Sequence, residues 1–287
     1  MAEVPPFRLE RPTVRETPVV VEVPHAGVYV DPGTLATMAG SMRAVGRDAD
    51  LFVDDLFSDA PDFGASLLVA THSRLVIDLN RAPTEFDGVA VDGGQGAQLP
   101  RGLIWRTSTE GEPLLYERLT KAELGRRMTV LYEPYHAALC EELARKRERF
   151  GDAILLCAHS MPSTGRRGHI DVGTGRADVV PGSRGRTSAS GAVIDAVDQA
   201  ASSLGFSVKH DDPYRGGFST GHYGRPGEHI HAIQIELARR IYMDEDRLVA
   251  HTSSAPTSTP GAFERTRELA RELVRVLAEL DLSTIGA

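Results

Sequence analysis

Short apolar runs alternate along the chain with longer segments of amphipathic pattern. Five runs that are β-branched or continuously apolar predict β-strands, at residues 17–23, 67–70, 75–79, 153–158 and 230–237. Apolar positions three and four residues apart predict helices at residues 48–58, 114–149, 192–204 and 262–280. This alternation predicts an α/β fold, in which helices cover both faces of a mainly parallel mixed sheet as a three-layer α/β/α sandwich.

No break in composition divides the chain, so residues 1–287 are predicted to form a single domain. Two segments resist assignment, because residues 85–106 and 163–191 are rich in glycine and polar side chains. Both are long for loops in a compact domain, and loops of this length often cover an active site.

Composition narrows the classes of partner. The 32 basic and 40 acidic side chains give a formal charge of −8, which disfavours general nucleic-acid binding. No apolar run approaches the ~18 residues that span a bilayer, and no secretion signal is evident. We therefore expect a cytoplasmic protein that binds neither nucleic acid nor membranes, and homo-oligomerisation is left open.

Cys140 and Cys157 are too few for a disulfide framework or a cysteine zinc site.

Three predicted strands end in residues that bind metals or move protons. His25 and His159 follow two of these strands, and Glu236 is the last polar position of a third. Ligands of open α/β sheets bind at the carboxyl ends of the strands, and two histidines with a carboxylate are common ligands of catalytic zinc. Each residue also has a structural explanation, such as pairing of Glu236 with Arg239. Gln234 and Glu236 share one strand face, however, where burial requires polar partners.

Other charged residues have two interpretations each. Residues 74–81 (RLVIDLNR) carry an arginine at each end. These arginines either bind a substrate carboxylate as guanidinium forks, or pair with Asp78 to tie a strand to a helix. Asp48 and Asp50 either cap the predicted helix that starts there, or supply a metal ligand near His25.

A competing motif occurs at residues 217–221 (GFSTG), which match the G-x-S-x-G nucleophile elbow of serine hydrolases around Ser219. The elbow requires an apolar strand before the serine and a helix after it, and the flanking sequence predicts neither. No phosphate-binding P-loop or dinucleotide fingerprint is present, so nucleotide roles lack support.

Several segments together resemble the N-formylglutamate amidohydrolase family over about residues 17–247. The matching segments are 23–27 (VPHAG), 48–54 (DADLFVD), 70–81 (ATHSRLVIDLNR), 134–136 (PYH), 158–160 (AHS), 214–218 (YRGGF), 222–224 (HYG), 234–238 (QIELA) and 242–245 (YMDE). The resemblance implies a zinc-dependent hydrolase with a carboxypeptidase-like α/β/α fold, which is also similar to that of the aspartoacylases.

The resemblance also implies a metal centre with one zinc per chain. His25 and His159 become zinc ligands, and Glu236 becomes the general base. The related enzymes carry a glutamate three residues after the first histidine, where this chain has Val28. The third ligand is therefore expected elsewhere, with Asp50 as the first choice and Asp48 as the second.

Substrate-binding residues follow from the same resemblance. Asn80 and Arg81 are expected to hold a substrate carboxylate, with Arg74 assisting. Arg215 and His222 lie in matching segments and are expected to contact the substrate.

The sequence thus predicts a zinc-dependent amidohydrolase. Its substrate is an N-acyl amino acid such as N-formyl-L-glutamate, as in histidine degradation, and its products are formate and the amino acid. Two alternatives stay open. The first is a carboxylate-binding protein of the same fold without catalysis, which the departure at Val28 keeps in play. The second is a serine hydrolase that uses Ser219.

Overall fold

Six strands form one mixed sheet in the computed structural model, which describes residues 4–95, 98–166, 169, 171–252 and 261–282. The strands are β1 (Phe7–Glu10), β2 (Val19–Val23), β3 (Ser66–Ala70), β4 (Ala153–Met161), β5 (Val179–Gly182) and β6 (Ile230–Ala238). Their spatial order is β1-β3-β2-β4-β6-β5. The four inner strands are parallel, and β1 and β5 are antiparallel at the edges. Two further strands, β7 (Met243–Asp244) and β8 (Val249–Ala250), pair antiparallel with each other and are separate from this sheet.

Eight α-helices accompany the sheet in the described part of the chain. They are α1 (Pro32–Leu35), α2 (Met42–Asp48), α3 (Val53–Leu56), α4 (Lys121–Arg127), α5 (Glu133–Phe150), α6 (Gly191–Ser203), α7 (Phe218–Tyr223) and α8 (Ala262–Glu279). A π-helical turn at Met128–Tyr132 joins α4 to α5. The turn lies just before Pro134, which lacks the N–H that a regular α-helix needs there. None of these helices is both long and apolar enough to span a membrane.

Side chains of the inner strands alternate between two cores, one on each face of the sheet. In β4, Ile154 and Leu156 pack in the core that includes α6 and α8. Leu155 and Cys157 pack in the opposite core, which includes α5. Burial on both faces explains the continuous apolar runs in the sequence. The predicted three-layer α/β/α architecture with a mainly parallel sheet is therefore confirmed.

One predicted strand is wrong. Residues 75–79 form turns, although their apolar side chains are buried. Their backbone groups bond to partners other than a strand: Asp78 N–H donates to the Leu103 carbonyl, and the Val76 carbonyl accepts from Arg127. The alternation in this segment therefore reflects burial against loops and side chains rather than a sheet.

Two predicted helices have wrong boundaries. The helix predicted over residues 48–58 does not begin at Asp48, because α2 ends there and Ala49 is extended. Phe52 then adopts a left-handed conformation (φ 66°) before α3 begins. The helix predicted from residue 114 begins only at Lys121, where the Thr120 hydroxyl accepts the Glu123 N–H and caps the first turn.

The remaining predicted elements are confirmed, namely β2, β3, β4, β6, α6 and α8. The sequence analysis missed β1 and β5. Each has four residues, and β5 contains Pro181 at the edge of the sheet, where proline is tolerated.

A close approach of backbone segments at Gly27 gives a stability prediction. A Cβ atom there would lie 2.7 Å from the Ala70 carbonyl oxygen and closer still to the Thr71 carbonyl. Because backbone must move to admit a methyl group, we expect Gly27→Ala to lower the free energy of unfolding by about 2 kcal/mol or more. Urea denaturation followed by circular dichroism measures this change.

Gly125 provides the matched control, because it lies inside α4 and a Cβ atom there meets nothing within 4 Å. Gly125→Ala should leave stability unchanged or raise it by up to about 1 kcal/mol. Equal effects of the two substitutions would show that the contact at Gly27 does not constrain the fold.

Candidate metal centre and active site

The carboxyl ends of three neighbouring parallel strands bring the candidate residues together. His159 on β4 lies directly opposite Glu236 on β6 in the strand register. His25 lies two residues beyond the end of β2, which pairs with the other edge of β4. All three side chains are buried, and all line one cavity of about 330 Å³. The parallel sheet thus places the three residues at one edge, as the sequence analysis expected.

Asp50 joins the two histidines from the extended turn between α2 and α3. Its N–H donates to the His25 carbonyl oxygen at 2.9 Å, which fixes the turn against the end of β2. Its Oδ2 lies 3.1 Å from His159 Nδ1 and 3.6 Å from His25 Nδ1. The two Nδ1 atoms are 3.1 Å apart. Three electron-rich atoms therefore converge in a buried position.

The spacing of these three atoms fits a zinc ion. Zinc bonds of about 2.0–2.1 Å at tetrahedral angles place neighbouring ligand atoms about 3.3 Å apart. The three observed separations, 3.1, 3.1 and 3.6 Å, bracket that value. Two imidazole nitrogens and one carboxylate oxygen are also the donor set that catalytic zinc prefers, with the fourth position left for water. Among the described residues, this is the one group whose donor atoms meet the spacing for a metal.

Asp78 orients His25 through the ring nitrogen that does not face Asp50 and His159. Its Oδ1 accepts the His25 Nε2–H at 2.8 Å, which leaves Nδ1 without a proton and available to a metal. Its Oδ2 accepts from Arg74 Nη2 at 2.7 Å and from Trp105 Nε1 at 3.0 Å. Burial alone would raise the pKa of Asp78, but the charge of Arg74 and the hydrogen bond from His25 outweigh burial and hold this pKa well below its usual range.

Arg239 supports Asp50 in a similar way. The Arg239 guanidinium is buried and donates to the carbonyl oxygens of Arg47 and Ala49 at 2.8 and 2.6 Å. It also lies 3.4 Å from Asp50 Oδ1. Burial acts to raise the pKa of Asp50, yet the neighbouring imidazoles of His159 and His25 outweigh burial and lower this pKa well below its usual range. Asp50 therefore stays a carboxylate and keeps its charge for a cation.

Glu236 is oriented by the polar residue that shares its strand face. Gln234 Nε2 donates to Glu236 Oε1 at 2.8 Å, and Gln234 Oε1 accepts the Gly217 N–H at 2.8 Å. Burial raises the pKa of Glu236 to about 7, and the neighbouring Asp50 adds to this effect. A carboxyl group with such a pKa both accepts and returns a proton near neutral pH.

Four of the five predicted substrate-binding residues, Arg74, Asn80, Arg81 and Arg215, line the cavity beside the candidate metal donors. Asn80 Nδ2 lies 3.1 Å from His159 Nε2, and Asn80 Oδ1 accepts the Ser219 N–H. Arg81 bonds to Glu85 through Nη1, but its buried Nε has no hydrogen-bond partner among the described residues. Arg215 is exposed at the rim.

Arg74 and His222 are placed differently. Arg74 lines the cavity, but two of its nitrogens donate to Asp78 and its guanidinium stacks over Trp105 at 4.6 Å. His222 stacks on Phe218 and lines a neighbouring depression rather than the main cavity. Its assignment as a substrate contact stays a prediction.

The two aspartates considered as the third metal ligand have different contacts in the structure. Asp48 Oδ2 accepts the Thr109 N–H at 3.1 Å, and Oδ1 accepts the Thr109 hydroxyl, so this carboxylate ties the loop at residue 109 to α2. Asp50 alone joins the histidine pair. Val28, the position at which the family resemblance implied a glutamate ligand, is 48% exposed and does not line the cavity.

The geometry does not favour a serine nucleophile. Ser219 is buried, and its Oγ has no hydrogen-bond partner among the described residues. A Ser183–His210–Asp198 chain exists after β5, with separations of 2.6 and 3.1 Å. Ser183 is fully buried, however, and its Oγ accepts the Arg186 N–H, so this chain orders a turn.

Several cavity residues were missed in the sequence analysis. Most are on the two long segments that resisted assignment or just beyond their ends, and these segments do cover the cavity. The missed residues are Arg47, Arg101, Trp105, Thr109, Arg166, His169, Tyr214 and Arg239. The length of the loops signalled their position, but nothing in the sequence distinguished their individual arginines from solvent-exposed ones.

Buried imidazole and carboxylate donors at the strand ends of an α/β/α sandwich are typical of metal-dependent hydrolases. The sequence profile of the N-formylglutamate amidohydrolase family matches residues 17–243. The chain therefore belongs to the N-formylglutamate amidohydrolase family, as the motifs of the sequence indicated.

Individual relatives agree with this assignment. An N-formylglutamate deformylase of Pseudomonas aeruginosa is 34% identical over 269 residues, which cover 91% of this chain and 92% of that protein. A second, from Pseudomonas putida, is 35% identical over 242 residues, covering 79% of this chain and 82% of that protein. The crystal structure of N-formylglutamate amidohydrolase from Ralstonia eutropha JMP134 superimposes with a TM-score of 0.84 at 29% identity, covering 96% of this chain and 98% of that one.

A pair of substitutions tests which aspartate belongs to the metal centre. Asp50→Asn removes a charged donor from the triad formed by His25, Asp50 and His159, so we expect zinc affinity to fall by at least about 100-fold. Asp48→Asn keeps the triad and should change zinc affinity by less than about threefold. Competition with a chromophoric chelator measures both affinities. Equal losses in the two variants, or a loss in Asp48→Asn alone, would contradict the assignment of Asp50.

Proposed function

We propose that the protein is a zinc-dependent amidohydrolase that releases formate from N-formyl amino acids, with N-formyl-L-glutamate as the preferred substrate. The observation that carries this proposal is the convergence of His25, Asp50 and His159 at zinc spacing beside a buried Glu236. The names of the curated relatives support the choice of substrate. A cavity of about 330 Å³ suits a small molecule rather than a polymer.

The reaction adds water across the amide bond, so that the carbonyl carbon gains oxygen and the nitrogen gains a proton. A zinc ion bound by the triad would lower the pKa of its bound water and polarise the formyl carbonyl. Glu236 accepts the proton of the attacking water and returns it to the departing nitrogen. Its hydrogen bond from Gln234 holds the carboxyl group in one orientation for both transfers.

Asn80 and Arg81 hold the substrate through its α-carboxylate. The Arg81 Nε is a buried donor with no hydrogen-bond partner in the described residues, and its ion pair with Asp78 is long at 3.9 Å, so a bound carboxylate would satisfy it. Arg215 at the rim adds a second cation at the same end. Fixing the carboxylate places the formyl group at the metal donors and lowers the entropic part of the barrier.

Arg74 has a supporting role in this proposal. Its two bonds to Asp78 keep the guanidinium in place on the cavity wall, where its charge stabilises the negative oxygen that develops on the formyl group. A place in histidine degradation and a cytoplasmic location accompany the proposed reaction as predictions.

Replacing the proposed base separates catalysis from binding. Glu236→Gln keeps the size of the side chain but cannot accept the proton, so we expect kcat for N-formylglutamate to fall by at least about 100-fold. Zinc affinity should stay within about threefold of wild type, because the triad is intact. Formate release, measured with formate dehydrogenase, gives the rate, and the exposed Glu133→Gln in α5 is the control for loss of a carboxylate. Near-wild-type kcat in Glu236→Gln would remove this residue from the mechanism.

Removing Arg81 tests the carboxylate site. Arg81→Ala should raise KM for N-formylglutamate by at least about tenfold with a smaller change in kcat, because a charge-assisted hydrogen bond to the substrate is lost. The same steady-state assay measures both constants, and Arg118→Ala on the exposed surface serves as the control. An unchanged KM would exclude Arg81 from substrate binding.

A further inference from the structure

We infer that Arg166 binds the side-chain carboxylate of the substrate, at a different part of the cavity wall from Arg81. This inference rests on the proposed function, because it assigns the second carboxylate of a dicarboxylate substrate. It makes Arg166 the residue that selects acidic over neutral N-formyl amino acids.

The cavity has a surplus of positive charge. Three acidic side chains line it, Asp48, Asp50 and Glu236. Seven arginines line the same cavity, namely Arg47, Arg74, Arg81, Arg101, Arg166, Arg215 and Arg239. Such a surplus in a partly closed space favours anions and raises their local concentration.

Three of these arginines are already committed to the protein. Arg239 donates to two backbone carbonyls and to Ser160, and Arg74 donates twice to Asp78. Arg47 donates to Glu110 Oε1 at 2.8 Å and to the Glu245 carbonyl at 2.8 Å. Their hydrogen bonds build the walls of the cavity, so they are poorly placed to take a substrate carboxylate.

The Arg166 side chain, in contrast to these three arginines, makes only long contacts with acceptors among the described residues. Its side chain is only 15% exposed, yet its contacts are long: 3.3 Å to the Thr109 hydroxyl, 3.4 Å to the Arg47 carbonyl and 3.7 Å to Glu245. Burial lowers the pKa of Arg166, and the charges of Arg239 and Arg47 lower it further, by more than the carboxylates of Glu245 and Asp48 raise it. A guanidinium held among other cations, with only distant acceptors, is stabilised by an incoming anion.

Arg166 and Arg81 contact different parts of the cavity wall, because Arg81 bonds to Glu85 whereas Arg166 contacts Arg47 and Thr109. The wall at Arg81 continues into a depression lined by Asn80, Gly217 and His222. Thr109, which Arg166 contacts, lines a separate depression that shares no residue with the first. In this inference a dicarboxylate places one carboxylate at Arg81 and the other at Arg166, in the cavity that the candidate metal donors also line.

The test compares N-formylglutamate with N-formylglutamine, which has the same shape and α-carboxylate but a neutral side chain. For the wild-type chain we expect kcat/KM to favour N-formylglutamate by at least about tenfold. Arg166→Gln should reduce this preference by at least about tenfold, mainly through loss on N-formylglutamate, with less than about threefold change on N-formylglutamine. Arg166→Lys, which keeps the charge, should recover part of the preference.

Arg43→Gln is the matched control, because Arg43 is an exposed arginine near Glu110 on the same side and does not line the cavity. It should leave the preference unchanged. Equal losses on both substrates in Arg166→Gln would indicate a structural role and overturn the inference, as would an unchanged preference.

Binding of glutarate, a dicarboxylate that cannot be hydrolysed, keeps the inference separate from the proposed reaction. Calorimetry on the zinc-loaded chain should show glutarate affinity at least about tenfold lower in Arg166→Gln than in wild type. If the wild type releases no formate but this difference is found, the reaction is wrong and the anion site stands. If glutarate does not bind to the wild type, or binds equally to both forms, the inference is overturned.

Discussion

The buried carboxylate of Asp78 is the interaction on which the rest of the site depends. It accepts hydrogen bonds from His25 Nε2, Arg74 and Trp105, and so connects the first metal donor to the cavity wall. It also accepts the backbone N–H of Asn80, which starts the segment that is proposed to bind the substrate. A buried carboxylate is expensive without partners, and the same contacts that stabilise it orient the groups that do the chemistry.

The balance of buried charge explains why this site suits a cation and an anionic substrate together. A zinc ion bound by His25, Asp50 and His159, as proposed above, would offset the convergence of their donor atoms and the negative charge of Asp50. Beyond them the arginines exceed the acidic side chains, so the rest of the cavity needs negative charge. A formylated acidic amino acid supplies that charge at its carboxylates and brings a neutral amide to the metal donors.

The sequence predicted the four parallel strands of the sheet, and it placed His25, His159 and Glu236 together because the carboxyl ends of parallel strands lie at one edge. The sequence did not predict that residues 75–79 lie outside the sheet. The backbone of this segment forms hydrogen bonds with Arg127 and Leu103, which are distant in the chain. Asp50 was reached through a family resemblance, and its separation from Asp48 depends on where α2 ends. Arg166 gave no sequence signal, because its neighbours Thr109 and Arg47 come from distant segments that only the fold brings together.

Metal content and metal dependence test the central claim most directly. Elemental analysis of the purified chain should find about one zinc per chain, and formate release from N-formylglutamate should stop when a chelator removes the metal and resume when zinc is returned. A chain that neither retains nor takes up zinc, or one that releases formate at the same rate with and without chelator, would contradict the account.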